Sequence, residues 1–317
     1  MRGSSVLLFF LCALSTLAAG SQAPPQPTAR PNIVVLVADD TRWDALGVAG
    51  NPVLRTPHLD DLARDGIRFT HGYVTTSICW VSRASMLTGQ YMSRHHLSTA
   101  AQELSPAAFA DTYPARLKSA GYWTGFVGKW HNGQIRSADF DFARAYFGRH
   151  WLDDPQLGRI HVTEKNARDA LEFLRQRPSD RPFMLNVAFF AAHAEDEAKE
   201  QYLPQDWSAA VYAGTTIPPP LHAGPEFLAA LPPFLRNEAN EGRVRYHWRF
   251  DTPESYQRNL TNYYRLITEL DQVVGRLVDE LKSQGVYDNT LIVYVGDNRS
   301  EEHTSELQSR FGISYAV

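Results

Sequence analysis

Short apolar runs alternate with amphipathic stretches along most of this chain. Four runs rich in β-branched and aromatic residues predict strands buried on both faces: 32–38, 122–127, 183–190 and 291–295. Apolar positions at helical spacing predict helices over 56–66 (with Thr56 as its cap), 82–90, 111–120, 163–176 and 254–284. This alternation predicts an α/β fold with a mostly parallel central sheet flanked by helices. Residues 207–250, rich in proline and aromatics, predict an irregular excursion.

The first residues have the pattern of a secretory signal. A basic start at Arg2, an apolar run from Val6 to Leu14 and the small residues up to Gly20 predict a signal peptide over 1–20. That run is shorter than the ~20 apolar residues that a membrane span needs, and no other stretch is long enough. Residues 21–31 predict a Pro-rich extended leader. We therefore expect an exported protein (secreted, lysosomal or periplasmic) with no membrane span.

The tail from 299 to 317 has a different origin in our interpretation. A common sequencing-library adapter encodes RSEEHTSELQS from Arg299, and the next stretch of that adapter encodes Ile313 to Val317. We expect that residues 299–317 are not native. The catalytic domain then covers 32–298, and the native sequence after Asn298 is missing.

Composition narrows the class of protein. Hydrophobic residues make up 44% and charged residues 21%, with a net charge of −4, so a packed core is expected. There is no basic field for nucleic acid. Of two cysteines, Cys12 leaves with the signal, and Cys79 is the remaining thiol of the processed chain. Cys79 is either a small buried hydrophobe or a functional thiol.

Polar side chains follow each of the four predicted strands. Asp39-Asp40 follow the first strand, Gly128-Lys129-Trp130-His131 the second, His193 the third, and Gly296-Asp297-Asn298 the fourth. Each of these polar residues, taken singly, could instead be a helix cap or an ordinary surface residue. Because the carboxyl ends of parallel strands meet at one edge of the sheet, together they predict a site there.

The residue types at this edge suit chemistry on an oxyanion. Four hard oxygen donors suit Ca²⁺ ahead of Mg²⁺, and not zinc: Asp39, Asp40, Asp297 and Asn298. Four cations or proton donors suit an anion with several charged oxygens: Arg83, Lys129, His131 and His193. A divalent metal beside cations predicts phosphoryl or sulfuryl transfer. No G-x-G-x-x-G follows a strand, which argues against hydride transfer.

The segment from Cys79 to Gly89, CWVSRASMLTG, opens a predicted helix. A helix N-terminus favours anions, so we expect a depressed pKa for the Cys79 thiol. The segment resembles the signature of the type I, formylglycine-dependent sulfatases, C/S-x-P/A-x-R followed by a helix that ends in Leu-Thr-Gly. The resemblance extends from Pro31 to Asn298, and it implies the alkaline-phosphatase-like superfamily.

The resemblance implies a mechanism. A formylglycine-generating enzyme would oxidise Cys79 to formylglycine, which hydrates to a gem-diol. One hydroxyl attacks sulfur, the alcohol leaves, and the second hydroxyl helps to expel sulfate. The implied Ca²⁺ ligands are Asp39, Asp40, Asp297 and Asn298. Arg83 and Lys129 would position the hydrate, with Lys129 also touching sulfate. His131 would be the base in the release step, and His193 would contact sulfate or help to protonate the leaving oxygen.

The chain departs from the family pattern at three places. Val81 stands where the signature has Pro or Ala, and His193 lies between alanines where many relatives have Pro-His. A further sulfate-binding lysine after Asp-Asn and a smaller C-terminal subdomain are absent. We therefore expect that the 317-residue product does not complete its site.

The expected activity is hydrolysis of a sulfate ester, on a sulfated glycan. Five aromatic residues in the excursion would supply a sugar-stacking surface or only packing: Trp207, Tyr212, Tyr246, Trp248 and Phe250. The alternatives are a phosphodiesterase or phosphonate hydrolase of the same fold, or a non-catalytic binder of sulfated glycans with Cys79 unmodified. The sequon Asn259-Leu260-Thr261 is consistent with export.

Overall fold

A seven-stranded sheet forms the centre of the fold in a computed structural model that describes residues 30–196, 198–220, 224–297 and 310–316. In chain order its strands are β1 (Asn32–Ala38), β2 (Gly66–Tyr73), β3 (Trp123–Gly128), β4 (Phe142–Ala145), β7 (Phe183–Ala188), β8 (Thr290–Gly296) and β9 (Arg310–Ala316). A separate antiparallel hairpin consists of β5 (Trp151–Asp154) and β6 (Gly158–His161). In space the sheet order is β2-β9-β8-β1-β7-β3-β4. The strands from β8 to β4 are parallel, and β9 is antiparallel to both neighbours.

Helices cover both faces of the sheet. They are α1 (Pro57–Asp65), α2 (Cys79–Thr88), α3 (Met92–His95), α4 (Pro106–Ala110), α5 (Tyr113–Ser119), α6 (Val162–Gln176), α7 (Pro225–Ala230), α8 (Glu241–Arg249) and α9 (Pro253–Ser283). One core joins α1, α6 and α9 to the face that carries Leu36 and Leu185. A second core joins α2 and α4 to the face that carries Val37 and Phe126. Within the described ranges, no helix is both long and apolar enough for a membrane crossing. The predicted α/β fold is confirmed.

The predicted elements differ from the observed ones mainly where the apolar pattern is weak. The four predicted strands are present with ends shifted by at most two residues. Helix α2 begins at Cys79 rather than Ser82, so the cysteine is its first helical residue. The excursion 207–250, expected to be irregular, contains the nine-residue helix α8.

The start of α1 is capped differently from the prediction. Thr56 occupies the N-cap position as predicted, but its hydroxyl makes no capping bond, because it donates to Asp60 and accepts from the N–H of Gly47. Instead, the carboxylate of Asp271 in α9 accepts from the N–H groups of His58 and Leu59 at 3.3 and 2.8 Å. A distant carboxylate therefore satisfies the first amides of α1, a partner that local sequence does not indicate.

Several predictions fall on parts of the chain that the structure does not describe. The signal peptide (1–20), most of the leader (21–31), the ligand Asn298 and residues 299–309 lie outside the described residues. Residues 310–316 form β9, and the adapter origin of 299–317 stays a prediction. Asn259 is buried in α9, where its side chain donates to the carbonyl of Arg249 at 2.8 Å. The folded chain therefore does not present this asparagine for glycosylation.

Candidate active site

Four neighbouring parallel strands bring the predicted site residues to one edge of the sheet. In the order β8-β1-β7-β3, the segments that follow these strands carry Asp297, Asp39-Asp40, His193 and Lys129. Backbone hydrogen bonds continue past the strand ends: the N–H of Asp297 donates to the carbonyl of Ala38 at 2.9 Å, and the N–H of Lys129 donates to that of Ala188 at 2.7 Å. The structure therefore brings Asp39, Asp40, Lys129, His193 and Asp297 together at the carboxyl edge of the sheet.

Asp39 is the centre of the charge cluster. It is fully buried, the Lys129 ammonium donates to its Oδ2, and Arg83 Nη2 lies 3.5 Å from the same oxygen. Burial opposes ionisation, but the positive charges of Lys129 and Arg83 hold the pKa of Asp39 well below its usual range. The pKa of Lys129 is raised, because Asp39 outweighs the cost of burying the ammonium. Both groups therefore stay charged.

Arg83 joins three elements of the site. It lies one turn after Cys79 in α2, and its Nε and Nη2 both lie 2.7 Å from Asp297 Oδ2. Its Nη1 donates to the carbonyl of Lys129 at 2.7 Å. These contacts occupy both sides of the guanidinium, so Arg83 fixes Asp297 and the Lys129 backbone in place.

A glycine is required immediately before Lys129. Gly128 has φ of +97°, and a Cβ placed there would lie 2.0 Å from the carbonyl oxygen of Ala188. Because β3 must approach β7 this closely to deliver Lys129, only glycine fits. Asp40 also has a positive φ, of 50°, and the Tyr263 hydroxyl donates to its carbonyl at 2.9 Å. Tyr263 therefore holds the backbone of Asp40 in place. The sequence did not identify this role, because Tyr263 is one of many buried residues in α9.

Cys79 lies among these charged groups. Its side chain is buried, and burial raises the pKa of the Cys79 thiol to about 12, with Lys129 opposing and Asp39, Asp297 and Asp40 adding to the rise. The expectation of a depressed thiol pKa is therefore wrong. Desolvation and three carboxylates outweigh the favourable end of α2. An unmodified Cys79 is thus a poor nucleophile, because little of it is thiolate at neutral pH.

Two histidines border the cluster, and both are neutral. His193 Nδ1 donates to the carbonyl of Ala194 at 2.6 Å, so its Nε2 lone pair faces Asp40 Oδ2 at 3.7 Å. Burial and Lys129 lower the pKa of His193. His131 packs against Trp80 and Phe147, with ring centroids 5.5 and 5.1 Å apart. Burial, Lys129 and Arg83 lower the pKa of His131 to about 3.

The oxygen donors of this cluster fit a divalent cation. Asp39, Asp40 and His193 each offer one ligand atom, and these atoms lie within 4.8 Å of one another. Asp39 Oδ1 is buried and has no hydrogen-bond partner among the described residues. Burial and the charge of Asp39 raise the pKa of Asp40 to about 7. Burial, with a contribution from Asp39, likewise raises the pKa of Asp297 to about 7. A divalent cation bound at these carboxylates would relieve this repulsion.

These pKa shifts predict how stability depends on pH in the metal-free protein. Asp40 and Asp297 bind protons more tightly folded than unfolded, so between pH 4 and 7 their contribution makes the folded state less stable as pH rises. Asp39 affects stability in the opposite direction, because its pKa is lower in the folded state. Its stabilising contribution is lost only as pH falls below about 4. We expect the gain in melting temperature that Ca²⁺ gives over EDTA to grow from pH 5 to pH 7.5, because protons compete with the cation for Asp40 and Asp297 below their raised pKa. Equal slopes with and without Ca²⁺ would contradict the assigned ligands.

Comparisons with known proteins agree on one family. A family model described as Sulfatase matches residues 31–311. N-acetylglucosamine-6-O-sulfatase of Bacteroides thetaiotaomicron is 24% identical over 361 residues, covering 92% of this chain and 62% of the relative. N-sulphoglucosamine sulphohydrolase of Homo sapiens is 29% identical over 290 residues, covering 90% of this chain and 53% of the relative. The chain thus spans between half and two thirds of the length of these two relatives.

Solved structures share the fold. One of them, in complex with its substrate D-glucosamine-2-N,6-O-disulfate, superposes with a TM-score of 0.70 at 20% identity, over 90% of this chain and 71% of that one. Phosphonate monoester hydrolase of Agrobacterium radiobacter superposes with a TM-score of 0.69 at 18% identity, over 90% of this chain and 68% of that one. Both structures are less than 25% identical to this chain, so the likeness concerns the fold alone.

Proposed function

This chain belongs to the sulfatase family, and on that premise we propose that it removes sulfate from an ester on a sulfated glycan. One observation carries the proposal. Cys79 lies at the start of α2 beside two buried cations, Lys129 and Arg83, and three carboxylates. This arrangement supports the assignment of a nucleophile precursor, an oxyanion site and a cation site to one sheet edge.

Two groups would complete the chemistry. Oxidised to formylglycine by a formylglycine-generating enzyme, Cys79 would supply a hydrated aldehyde with a hydroxyl able to attack sulfur. Ca²⁺ would be held by Asp39, Asp40, Asp297 and Asn298, and it would polarise a sulfate oxygen. A cation fits here because Asp39 Oδ1 is buried and has no hydrogen-bond partner among the described residues.

The chain's own cations then have separate tasks. Lys129 keeps its charge and faces the cluster, so it would bind sulfate oxygens directly. Arg83 is committed to Asp297 and to the Lys129 carbonyl, so it would position those groups. The division explains why both cations are buried: one stabilises charge that develops on the substrate, and the other keeps the cluster in place.

The histidines would move protons. His131 is neutral, and because burial, Lys129 and Arg83 lower its pKa, it would act as base in the release step once the charge of bound sulfate has raised that pKa. His193 holds its Nδ1 proton on the Ala194 carbonyl and presents Nε2 to the site. The negative charge of a bound sulfate would raise the pKa of His193, so that Nε2 could donate a proton to the leaving oxygen.

The substrate class follows from the relatives and from the excursion. Both curated relatives described above are named for sulfated glucosamine groups. Trp207 and Trp248 are 52% and 39% exposed, which supports a stacking surface for sugar. Phe250 is buried, and the hydroxyl of Tyr212 bonds to Thr268, so these two serve packing. The proposal includes export, on the strength of the predicted signal peptide.

Mass spectrometry and a substrate panel test this function. The tryptic peptide from Phe69 to Arg83, isolated from a host with formylglycine-generating enzyme, should carry CHO in place of CH₂SH at Cys79. In a full-length form, the protein should then hydrolyse aryl sulfates with Ca²⁺ and lose that activity in EDTA. Turnover of aryl phosphates or phosphonates alone would favour the phosphodiesterase alternative. An unmodified thiol with binding of sulfated glycan would favour the non-catalytic one.

A further inference from the structure

Glu195 is a buried carboxylate two residues after His193, and it connects the His193 loop to a different part of the fold. Its Oε1 accepts from the backbone N–H of His150 at 2.6 Å, and His150 Nδ1 lies 3.3 Å from the same oxygen. Its Oε2 accepts from Arg149 at 2.9 Å. The N–H of Glu195 itself donates to the Gln201 carbonyl at 2.8 Å. Every one of these contacts ties 190–196 to residues outside the loop.

The rings beside this carboxylate form a continuous stack that ends on His193. The His150 ring is fully buried and lies 5.4 Å from the ring of Phe190. Phe190 in turn stacks on His193 at 5.3 Å, with 28° between the ring planes. On its other side, His150 stacks on His161 at 6.0 Å. The His193 ring thus packs on Phe190, and Phe190 packs on His150 with 54° between the ring planes.

We propose that Glu195 is a positioning residue for His193: by fixing His150 and the 190–196 loop together, it keeps Nε2 of His193 directed at Asp40 and the leaving oxygen. This inference rests on the proposed sulfatase function for its catalytic consequence. Its structural part, the tautomer and orientation of the imidazole, is independent of turnover. Nothing in the family signature or in the sequence pattern marks Glu195.

The physical reason is that both oxygens of Glu195 accept a hydrogen bond, one from the backbone N–H of His150 and one from Arg149, which an amide cannot match. Although burial opposes ionisation, hydrogen bonds from His150 and Arg149 lower the pKa of Glu195 to about 2, so it is a carboxylate. In Glu195→Gln, the NH₂ group would face a donor of His150 or Arg149. One of the two hydrogen bonds of Glu195 is then lost, and the 190–196 loop becomes more mobile. Because Phe190 lies in this loop and packs on His193, the His193 ring becomes more mobile as well.

The catalytic test compares two leaving groups. A sugar alcohol needs a proton as it leaves, whereas a nitrophenolate does not, so loss of His193 alignment should affect only the former. For Glu195→Gln we expect kcat on a hexosamine 6-sulfate to fall about 10–100-fold, the usual cost of losing an outer-shell partner, with kcat on nitrophenyl sulfate within about twofold of wild type. An equal fall on both substrates would indicate a structural role and overturn the proposal.

The second readout needs no activity. In protein labelled with ¹⁵N-histidine, His193 should show the Nδ1–H tautomer, assigned by the signal lost in His193→Gln. Glu195→Gln should shift it toward a mixture of tautomers, and an unchanged signal would overturn the proposal. Glu195→Asp, which keeps the charge, should show the same selective effects if the glutamine variant does not fold.

A matched control separates this role from general loss of stability. Glu269 is also buried, accepts from Gln205 and Ser208 at 2.6 Å, and lies 3.6 Å from His161, at the far end of the same stack. Glu269→Gln should lower the melting temperature and leave both the tautomer and the leaving-group ratio unchanged. A wild-type protein that shows the His193 tautomer but hydrolyses no sulfate would contradict the proposed function and not this inference.

Discussion

Replacing Cys79 with alanine is expected to reduce sulfate ester hydrolysis by at least about 10³-fold, because the variant has no precursor for the nucleophile. The folded protein should survive the change. Cys79 is a small side chain at the first position of α2, so the free energy of unfolding should change by about 1 kcal/mol. The measurements are kcat on nitrophenyl sulfate with Ca²⁺, and urea denaturation of both proteins.

The control for this change lies on the same helix. Ser85 is in α2, and its hydroxyl lies 3.0 Å from His95 Nε2 and takes no part in the charge cluster. Ser85→Ala should retain both the conversion of Cys79 and the turnover of sulfate. A Cys79→Ala variant that hydrolyses sulfate at the wild-type rate would place the nucleophile elsewhere and refute the proposed function.

Replacing Asp39 with asparagine is expected to cost about 3–5 kcal/mol of unfolding free energy, even without metal. The amide removes the charge that compensates Lys129, whose ammonium is 2% exposed. A buried cation without its partner is costly, because it has lost water and gained no equivalent contact. Urea denaturation in EDTA at pH 7 measures the difference, and calorimetric titration should show loss of Ca²⁺ binding.

An exposed ion pair provides the comparison. Asp61 binds Arg64 at 2.5 Å within α1, but both side chains are more than half exposed. Asp61→Asn should therefore change the free energy of unfolding by less than about 1 kcal/mol. Similar small effects for both variants would mean that Lys129 is not held as a buried cation.

The strands that carry the site could be predicted because each is a continuous apolar run. β1, β3, β7 and β8 are buried in a parallel sheet, so nearly every position is hydrophobic and the polar residue that follows is conspicuous. By contrast, β2 is largely exposed and offers no such run. The short hairpin of β5 and β6 also lacks a continuous apolar run.

The residue types of the site were predictable, but their partners were not. Aspartates after strands suggested a cation site, and Lys129 suggested an anion site. That Arg83 would bind Asp297 depends on packing between segments more than two hundred positions apart. The raised thiol pKa of Cys79 has the same origin, because it follows from burial beside three carboxylates that local sequence does not bring together.

The position of β8 has a consequence for synthesis on the ribosome. β8 is late in the chain but lies beside β1 at the centre of the sheet, and Asp297 at its end holds Arg83. The pocket around Cys79 therefore cannot close until residue 297 has emerged. At about 5–20 residues per second, the nascent chain exposes Cys79 for on the order of 10–40 s. In the proposed conversion of Cys79, the oxidising enzyme would have that interval in which to reach the thiol before folding buries it.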